Sequence, residues 1–382
     1  MKSNSDFSTL SLFVATPAQI LVSHKRTWHQ WGHGLTEEQY IKREALIGAM
    51  EHAANSRLIT WVLAPRDSPT TLDFVASCET FRRRGLVVYP ASDGNENEPR
   101  EVTCYGIASV YTPPDQRGKG YGSHMMRLLH WVLAGRTEEY NLPEFPAEWG
   151  DPPDEVELAG KGFFSVLYSD IGNEFYTRLG PTFVDSGGWE ARDPISTVWE
   201  VSPHSSNLET DDGWTWLGKE DLSRLWAKDV EQVKCIMAAM SALGSSVLVT
   251  FLPDQGLASS HTFRSALRPV SMHIWGVERD NGSNDQPTYA AWSVDMHPPP
   301  QTLVVTRISA TKDIFPYLIE KIQQAARKNG ITKMEIWDLP QNLLKAAEQL
   351  GGRTFKRDEH IPAIKWYGRG DTADIKWVFN EK

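Results

Sequence analysis

Between Thr103 and Leu133 a strand, a glycine-rich turn and a helix follow one another without a break, and this stretch limits the fold more than any other part of the chain. Thr103 to Tyr111 is rich in β-branched, aromatic and small residues. Pro113-Pro114 then ends any strand ladder, because proline has no amide hydrogen to donate. Met125, Leu128, Leu129, Val132 and Leu133 recur at i, i+3, i+4, i+7 and i+8, the apolar stripe of a helix lying on a sheet. Between them stands Arg117-Gly118-Lys119-Gly120-Tyr121-Gly122. Its glycines let the backbone turn sharply and bring amides close to a ligand at a helix N-terminus, which favours an anion such as a phosphate.

Three phosphate-binding designs compete for such a turn. A P-loop requires Gly-x-x-x-x-Gly-Lys-Ser/Thr, and Gly118-Lys119-Gly120 does not supply it. A dinucleotide fold requires Gly-x-Gly-x-x-Gly with an acidic residue ending the next strand; here the third glycine comes one residue early, and Glu138 and Glu139 follow no strand. The third design, Arg/Gln-x-x-Gly-x-Gly/Ala, is matched by Arg117, Gly120 and Gly122. In this it resembles the acetyl-CoA motif of the GNAT N-acetyltransferase superfamily.

A second segment extends the resemblance. Phe163–Tyr168 is a short apolar run of the central-strand type, and Ser169 to Gly180 reads as a capped helix ending at glycine. In GNAT proteins two such strands splay around the pantetheine arm, and a tyrosine of the following helix protonates the departing thiolate. That resemblance gives Tyr176 the acid's place and makes Gly172 the small residue at the cofactor. The family's Gly-Phe is replaced by Gly180-Pro181. The resemblance thus implies acetyl-CoA as co-substrate, held by Val110, Tyr111, Arg117, Gly118, Lys119, Gly120, Tyr121, Gly122, Ser123, Ser169 and Gly172, and no metal.

At 382 residues the chain is long enough for more than one domain, and 40% hydrophobic with 23% charged residues suits a globular protein. Its fifteen tryptophans imply large buried or stacking surfaces. With no 18-residue apolar run and no signal-peptide core at Met1, a cytoplasmic location away from membranes is expected. Cys78, Cys104 and Cys235 fit no disulfide or zinc pattern. A net charge of −10 argues against nucleic acid and is compatible with a cationic substrate.

Upstream, two helices are expected, Pro17 to Arg26 and Thr36 to about Ser56, the second with Gln39 completing a capping box. Between them lie His24, Trp28, His29, Trp31 and His33, without metal-ligand spacing. Such histidines are ordinarily solvated or satisfied in a core. In GNAT folds this is where the acceptor enters, and aromatics there can stack on an amine. Strands are expected at 58–63, 72–80 and 85–89. Glu79 either pairs with Arg82–Arg84 at the surface or faces the cleft as the base that deprotonates the acceptor, since a lysine amine titrates near 10.4. The family's glutamate position falls near Tyr105-Gly106. Residues 135–162 form an acidic, proline-rich insertion, an ordinary loop or a lid.

After an expected linker at Ser202–Asn207, helices at about 219–240, 314–328 and 341–350 alternate with strands at 272–278, 289–295, 302–308, 333–337, 364–367 and 375–379, retracing the first half. The turn equivalent to the cofactor loop, Ser309 to Phe315, has no glycine. The expected architecture is therefore α/β (α+β): a GNAT-fold half over residues 1–200 and a GNAT-like half over 208–382 that lacks the CoA loop and closes the acceptor cleft.

Over the whole chain, Trp28–Leu35, Ser77–Thr80, Val110–Pro114, Arg117–Tyr121 and Leu167–Gly172 resemble the fungal lysine acetyltransferases that acetylate the side-chain amine of free L-lysine in its catabolism. That resemblance implies direct transfer, with a backbone amide near Val110 polarising the thioester carbonyl, Tyr176 as acid, and Trp28, His33, Glu79 and Tyr105 about the acceptor. A GNAT acting on another amine, or a non-catalytic acyl-CoA-binding regulator, stays open. The base, the partner of lysine's α-carboxylate, the oligomeric state and the reach of the Lys382 carboxylate are not given by the sequence.

Overall fold

The computed structural model describes residues 6–90, 98–137, 139–203, 213–255, 260–262, 272–280, 287–296 and 299–379. Residues 204–207 of the expected linker, Glu138 and Lys382 lie outside the described residues. In chain order the principal elements run β1 (Leu10–Val14), α1 (Pro17–Trp31), α2 (Glu37–Gly48), β2 (Leu58–Pro65), β3 (Ala76–Val88), β4 (Arg100–Tyr111), α3 (Tyr121–Leu133), β5 (Gly162–Ser169), α4 (Glu174–Thr177) and β6 (Glu190–Ala191). They continue with β7 (Ile195–Glu200), β8 (Trp214–Leu217), α5 (Asp221–Ser241), β9 (Val247–Phe251), β10 (Gly276–Arg279), β11 (Thr288–Asp295) and β12 (Thr302–Ser309). The last are α6 (Phe315–Lys328), β13 (Lys333–Trp337), α7 (Gln341–Gln349), β14 (Arg353–Lys356), β15 (Ile361–Trp366) and β16 (Ile375–Trp377).

The chain divides into two compact units, the first made of Met1–Arg192, Ile236–Leu252 and Asp358–Val378, the second of Asp193–Cys235, Pro253–Arg357 and Phe379–Lys382. These units do not follow a division at residues 200 and 208. The closing strands expected to complete the second half pair in the first sheet instead: β15 lies antiparallel to β5 and β6, and β16 runs parallel to β9, which itself pairs with β3.

The first unit's sheet runs β1-β2-β3-β4-β5-β15-β6, with β9 beside β3. β4 and β5 are parallel, as a strand–helix–strand crossover requires. α3 supplies that crossover. Its Met125, Leu128, Leu129 and Leu133 are fully buried, each contributing about 1.5–3 kcal/mol by leaving water. β3 is one strand where two were expected, and Arg82–Arg84 are paired within it against β4. Arg84 meets Glu101, not Glu79.

α1 runs five residues past the expected end and carries His24, Trp28, His29 and Trp31 of the cluster, whereas α2 stops at Gly48. Both helices open with a capping box, Thr16 with Gln19 and Thr36 with Gln39. The insertion at 135–162 is tied to the core: Trp149 is buried, Arg66 donates to the carbonyls of Trp149 and Asp151, and the Asn141 amide donates to Tyr367.

Two histidines of α3 are sealed inside this unit. His124 is stacked on Phe7 at 4.5 Å and edge-on to Trp149, and its Nε2 has no hydrogen-bond partner among the described residues. Burial pushes it down to about 4, and burial likewise pushes His130 down to about 3. An unfolded histidine takes its proton near pH 6.5. Between about pH 6.5 and 4 the unfolded chain therefore binds protons that the native state refuses, and stability falls as pH falls. The denaturant midpoint is expected to drop from pH 7 to pH 5, and His124→Phe to flatten that drop. An equal slope in the variant would mean that His124 is not buried neutral.

The second unit's sheet runs β14-β7-β13-β12-β11-β10-β8, with β12 and β13 parallel around α6. Its strand and helix order repeats the first unit's plan. Asp229 on α5 accepts from Tyr289 of β11 and Arg307 of β12, so its buried carboxylate is fully paired.

Candidate active site

The parallel pairing of β4 with β5 ends at Ile107 and Leu167, yet β4 runs on to Tyr111 and β5 to Ser169. Beyond that point the strands are no longer laddered, and the backbone groups between them are available to a ligand. On its other side β4 carries a bulge. Ser77 faces Tyr111 and Glu79 faces Ala108, so two steps on β3 span three on β4. Ser109, at φ +53, takes up the extra residue in the left-handed region. A bulge breaks the regular ladder at Ser109 and Val110, near where the resemblance implies an amide for the thioester carbonyl.

Glu79 lies at this bulge. Ser109 Oγ donates to its Oε2 at 2.7 Å, and His24 Nε2 of α1 stands 3.6 Å from its Oε1. Nearby on the same face Ser23 and Ser77 share a 3.0 Å hydrogen bond, and Thr27 and Tyr40 one of 3.1 Å. Burial, together with the negative charge of Glu44, pushes the Tyr40 phenol up to about 12.

The glycine turn leads from β4 into α3. Gly118 and Gly120 take φ +75 and +86, and Gly120 is the N-cap of α3 with no side chain satisfying the first-turn amides. A Cβ on Gly122 would stand 2.8 Å from Thr112 Oγ1, so the helix approaches the end of β4 more closely than any other residue permits. Arg117 Nε donates to the Thr112 carbonyl at 3.0 Å, and its guanidinium lies 5.9 Å from the Tyr111 ring centre. Lys119 Nζ donates to Gln116 at 3.0 Å. Tyr121 and Ser123 occupy the first turn of α3. This open cradle of amides, with two exposed cations beside it, fits the pyrophosphate of a nucleotide cofactor.

After β5 the capped helix expected from Ser169 to Gly180 is replaced by a loop and the four-residue α4. Ser169 causes the break, because its Oγ accepts from the Ile171 amide and donates to the Gly172 carbonyl at 2.5 Å, a local turn that competes with helix. Gly172 is needed for φ +82, and a Cβ there would touch nothing within 4 Å. Tyr176 sits on α4, buried with Phe175 at its edge. Its hydroxyl hydrogen-bonds no described residue, and burial, with the neighbouring Cys78 and Asp170, raises the phenol well above its usual range.

The other acceptor candidates separate. Trp28 Nε1 donates to the Leu35 carbonyl and closes the α1–α2 turn. His33 is exposed in that turn at φ +38. Tyr105 is buried, with its hydroxyl donating to Gly160 at 2.8 Å, so it serves the core. Sequence reasoning did not single out Ser109 or Phe7, whose ring closes over Gly120, and it counted His24 only among a cluster. Register shifts leave no local signature.

Solved structures share this architecture. An Enterococcus faecalis protein described as a probable N-acyltransferase superposes with a TM-score of 0.53 over 93% of this chain and 72% of its own, at 9% identity. A GCN5-related N-acetyltransferase from Anabaena variabilis does so with a TM-score of 0.50 over 93% and 72%, at 13% identity. With the splayed strands, the bulge and the glycine turn, the chain has the GNAT fold. More narrowly, residues 198–382 match the family described as the LYC1 GNAT-like C-terminal domain. Among related sequences, a Saccharomyces cerevisiae protein described as uncharacterized is 24% identical over 94% of this chain and 93% of its own. A lysine acetyltransferase of Yarrowia lipolytica is 26% identical over 50% of this chain, a match spanning 43% of that protein.

Proposed function

We propose that this protein transfers the acetyl group of acetyl-CoA directly to the side-chain amine of free L-lysine, as a cytoplasmic step of lysine breakdown. The observation that supports the transfer chemistry is the β4 bulge, which sets Glu79 against Ser109, next in sequence to Val110, beyond the end of the β4–β5 pairing. The acceptor is read from the five lysine-acetyltransferase-like stretches and from the half-chain likeness to the Yarrowia enzyme.

Bound acetyl-CoA would supply an activated thioester. The amides from Gly118 to Ser123, with Arg117 and Lys119, hold its pyrophosphate, and Tyr111, Ser169 and Gly172 flank the arm. The Val110 amide donates to the carbonyl oxygen, where negative charge develops during attack. Glu79 takes the proton that the acceptor ammonium must lose. Tyr176, held neutral by burial, donates to the sulfur as it departs. Two buried cysteines outside any disulfide, Cys78 and Cys104, suit a reducing compartment. In the second unit the turn before α6 has no glycine and α6 opens on buried Phe315, which supports one cofactor per chain.

Thiol release from acetyl-CoA tests the reading. Free L-lysine is expected to support turnover with the acetyl group on the side-chain nitrogen, and Nα-acetyl-lysine, ornithine, spermidine and a lysine peptide to support much less. Turnover only with a peptide or polyamine would overturn the acceptor. No turnover with any amine, alongside measurable acetyl-CoA binding, would make the protein an acyl-CoA-binding regulator.

A further inference from the structure

Glu79 is buried, and a buried base that has taken a proton must pass it on before the next turnover. His24, on α1, is less buried than Glu79, and neither of its ring nitrogens hydrogen-bonds any described residue. Ser109 donates to one carboxylate oxygen of Glu79, and His24 faces the other. Two titratable neighbours already hold their protons. Cys78, beside Glu79 on β3, has its thiol pushed up by burial, and the Tyr40 phenol of α2 is pushed up to about 12, so both stay protonated. Arg43 of α2, the cation over the Tyr40 ring, is paired with Glu44.

From this arrangement we infer that His24 is the positioning and relay residue that empties Glu79 of the acceptor's proton, with Ser109 fixing the carboxylate so that one oxygen faces the imidazole. The inference rests on the acetyl-transfer reading above. In the step, an N–H bond of the acceptor ammonium breaks and an O–H bond forms on Glu79. That proton passes to the unprotonated Nε2 of His24, restoring the carboxylate and leaving an imidazolium. The imidazolium then loses a proton to solvent, and the pair is reset with no other reactant consumed. An imidazole suits a relay because its ring nitrogens can both accept and release a proton.

The test compares wild-type protein with His24→Ala and His24→Gln, using thiol release with the best amine acceptor. kcat is expected to fall about 10- to 100-fold in both variants, while affinity for acetyl-CoA stays within about twofold. Added imidazole should restore kcat in His24→Ala in a saturable, pH-dependent way, following the neutral fraction of the added base. His24→Gln keeps hydrogen bonding without proton transfer, so a Gln variant as fast as wild type would reduce His24 to a spacer and overturn the relay. Unchanged kcat in His24→Ala, or no rescue of a variant whose circular dichroism and melting match wild type, would overturn it too. These outcomes leave acetyl transfer intact, whereas absence of turnover in wild type with every amine overturns both.

Discussion

Gly120→Glu is expected to weaken acetyl-CoA binding at least about 100-fold, equivalent to about 2.8 kcal/mol, without unfolding the protein. Three effects act together. Gly120 holds φ +86, where a side chain costs about 1–3 kcal/mol of strain. Its Cβ would stand 3.0 Å from Phe7 Cζ, so that ring must yield. The new carboxylate would lie at the N-terminus of α3, where it interacts favourably with the helix dipole by about 0.3–1 kcal/mol and repels the cofactor's phosphates. The strain is borne by the free and the bound protein alike and is partly offset by the dipole term, so the loss of affinity comes from the carboxylate repelling and displacing the phosphates. Titration calorimetry checks the result, with Gly120→Ala as the control that carries strain but no charge. Retained affinity in the glutamate variant would put the phosphate site elsewhere.

The glycine turn was legible because everything that defines it is local: proline stop, glycine spacing and apolar stripe all lie within Thr103–Leu133, and the structure places them as a strand, turn and helix. Glu79 was legible as a candidate, but its surroundings were not. Whether it meets Arg82–Arg84 or His24 and Ser109 depends on a one-residue register shift between β3 and β4, set by long-range pairing. The arginine run also split β3 in the sequence reading, because charged residues are poor strand signals even where Arg84 meets Glu101 across the ladder. α4 fell short of its expected length since Ser169 uses its hydroxyl to close a local turn, a choice that propensity alone does not reveal. The placement of β15 between β5 and β6, both of which precede it by more than about 160 residues, is a tertiary outcome with no periodicity of its own.

Tyr176→Phe is expected to lower kcat about 100-fold or more while leaving acetyl-CoA affinity within about twofold. The substitution removes one oxygen. That oxygen hydrogen-bonds no described residue, so its loss leaves no buried partner unsatisfied and should cost little stability, and the ring keeps its contact with Phe175 and its place in the core. A drop in turnover can then be assigned to the missing proton donor. The pH dependence gives an independent check. Burial raises the phenol above its ordinary value near 10, so Tyr176 remains protonated throughout the range where the acceptor amine is being neutralised. The wild-type rate should therefore show no loss from tyrosine ionisation between pH 6 and about 9, and any fall there that persists in the variant belongs to another group. Comparison of acyl donors separates the acid's role further: an acetyl thioester whose thiol is more acidic needs less protonation, so the variant's deficit should shrink with such a donor. A deficit equal for both donors would mean that Tyr176 shapes the site without giving up its proton.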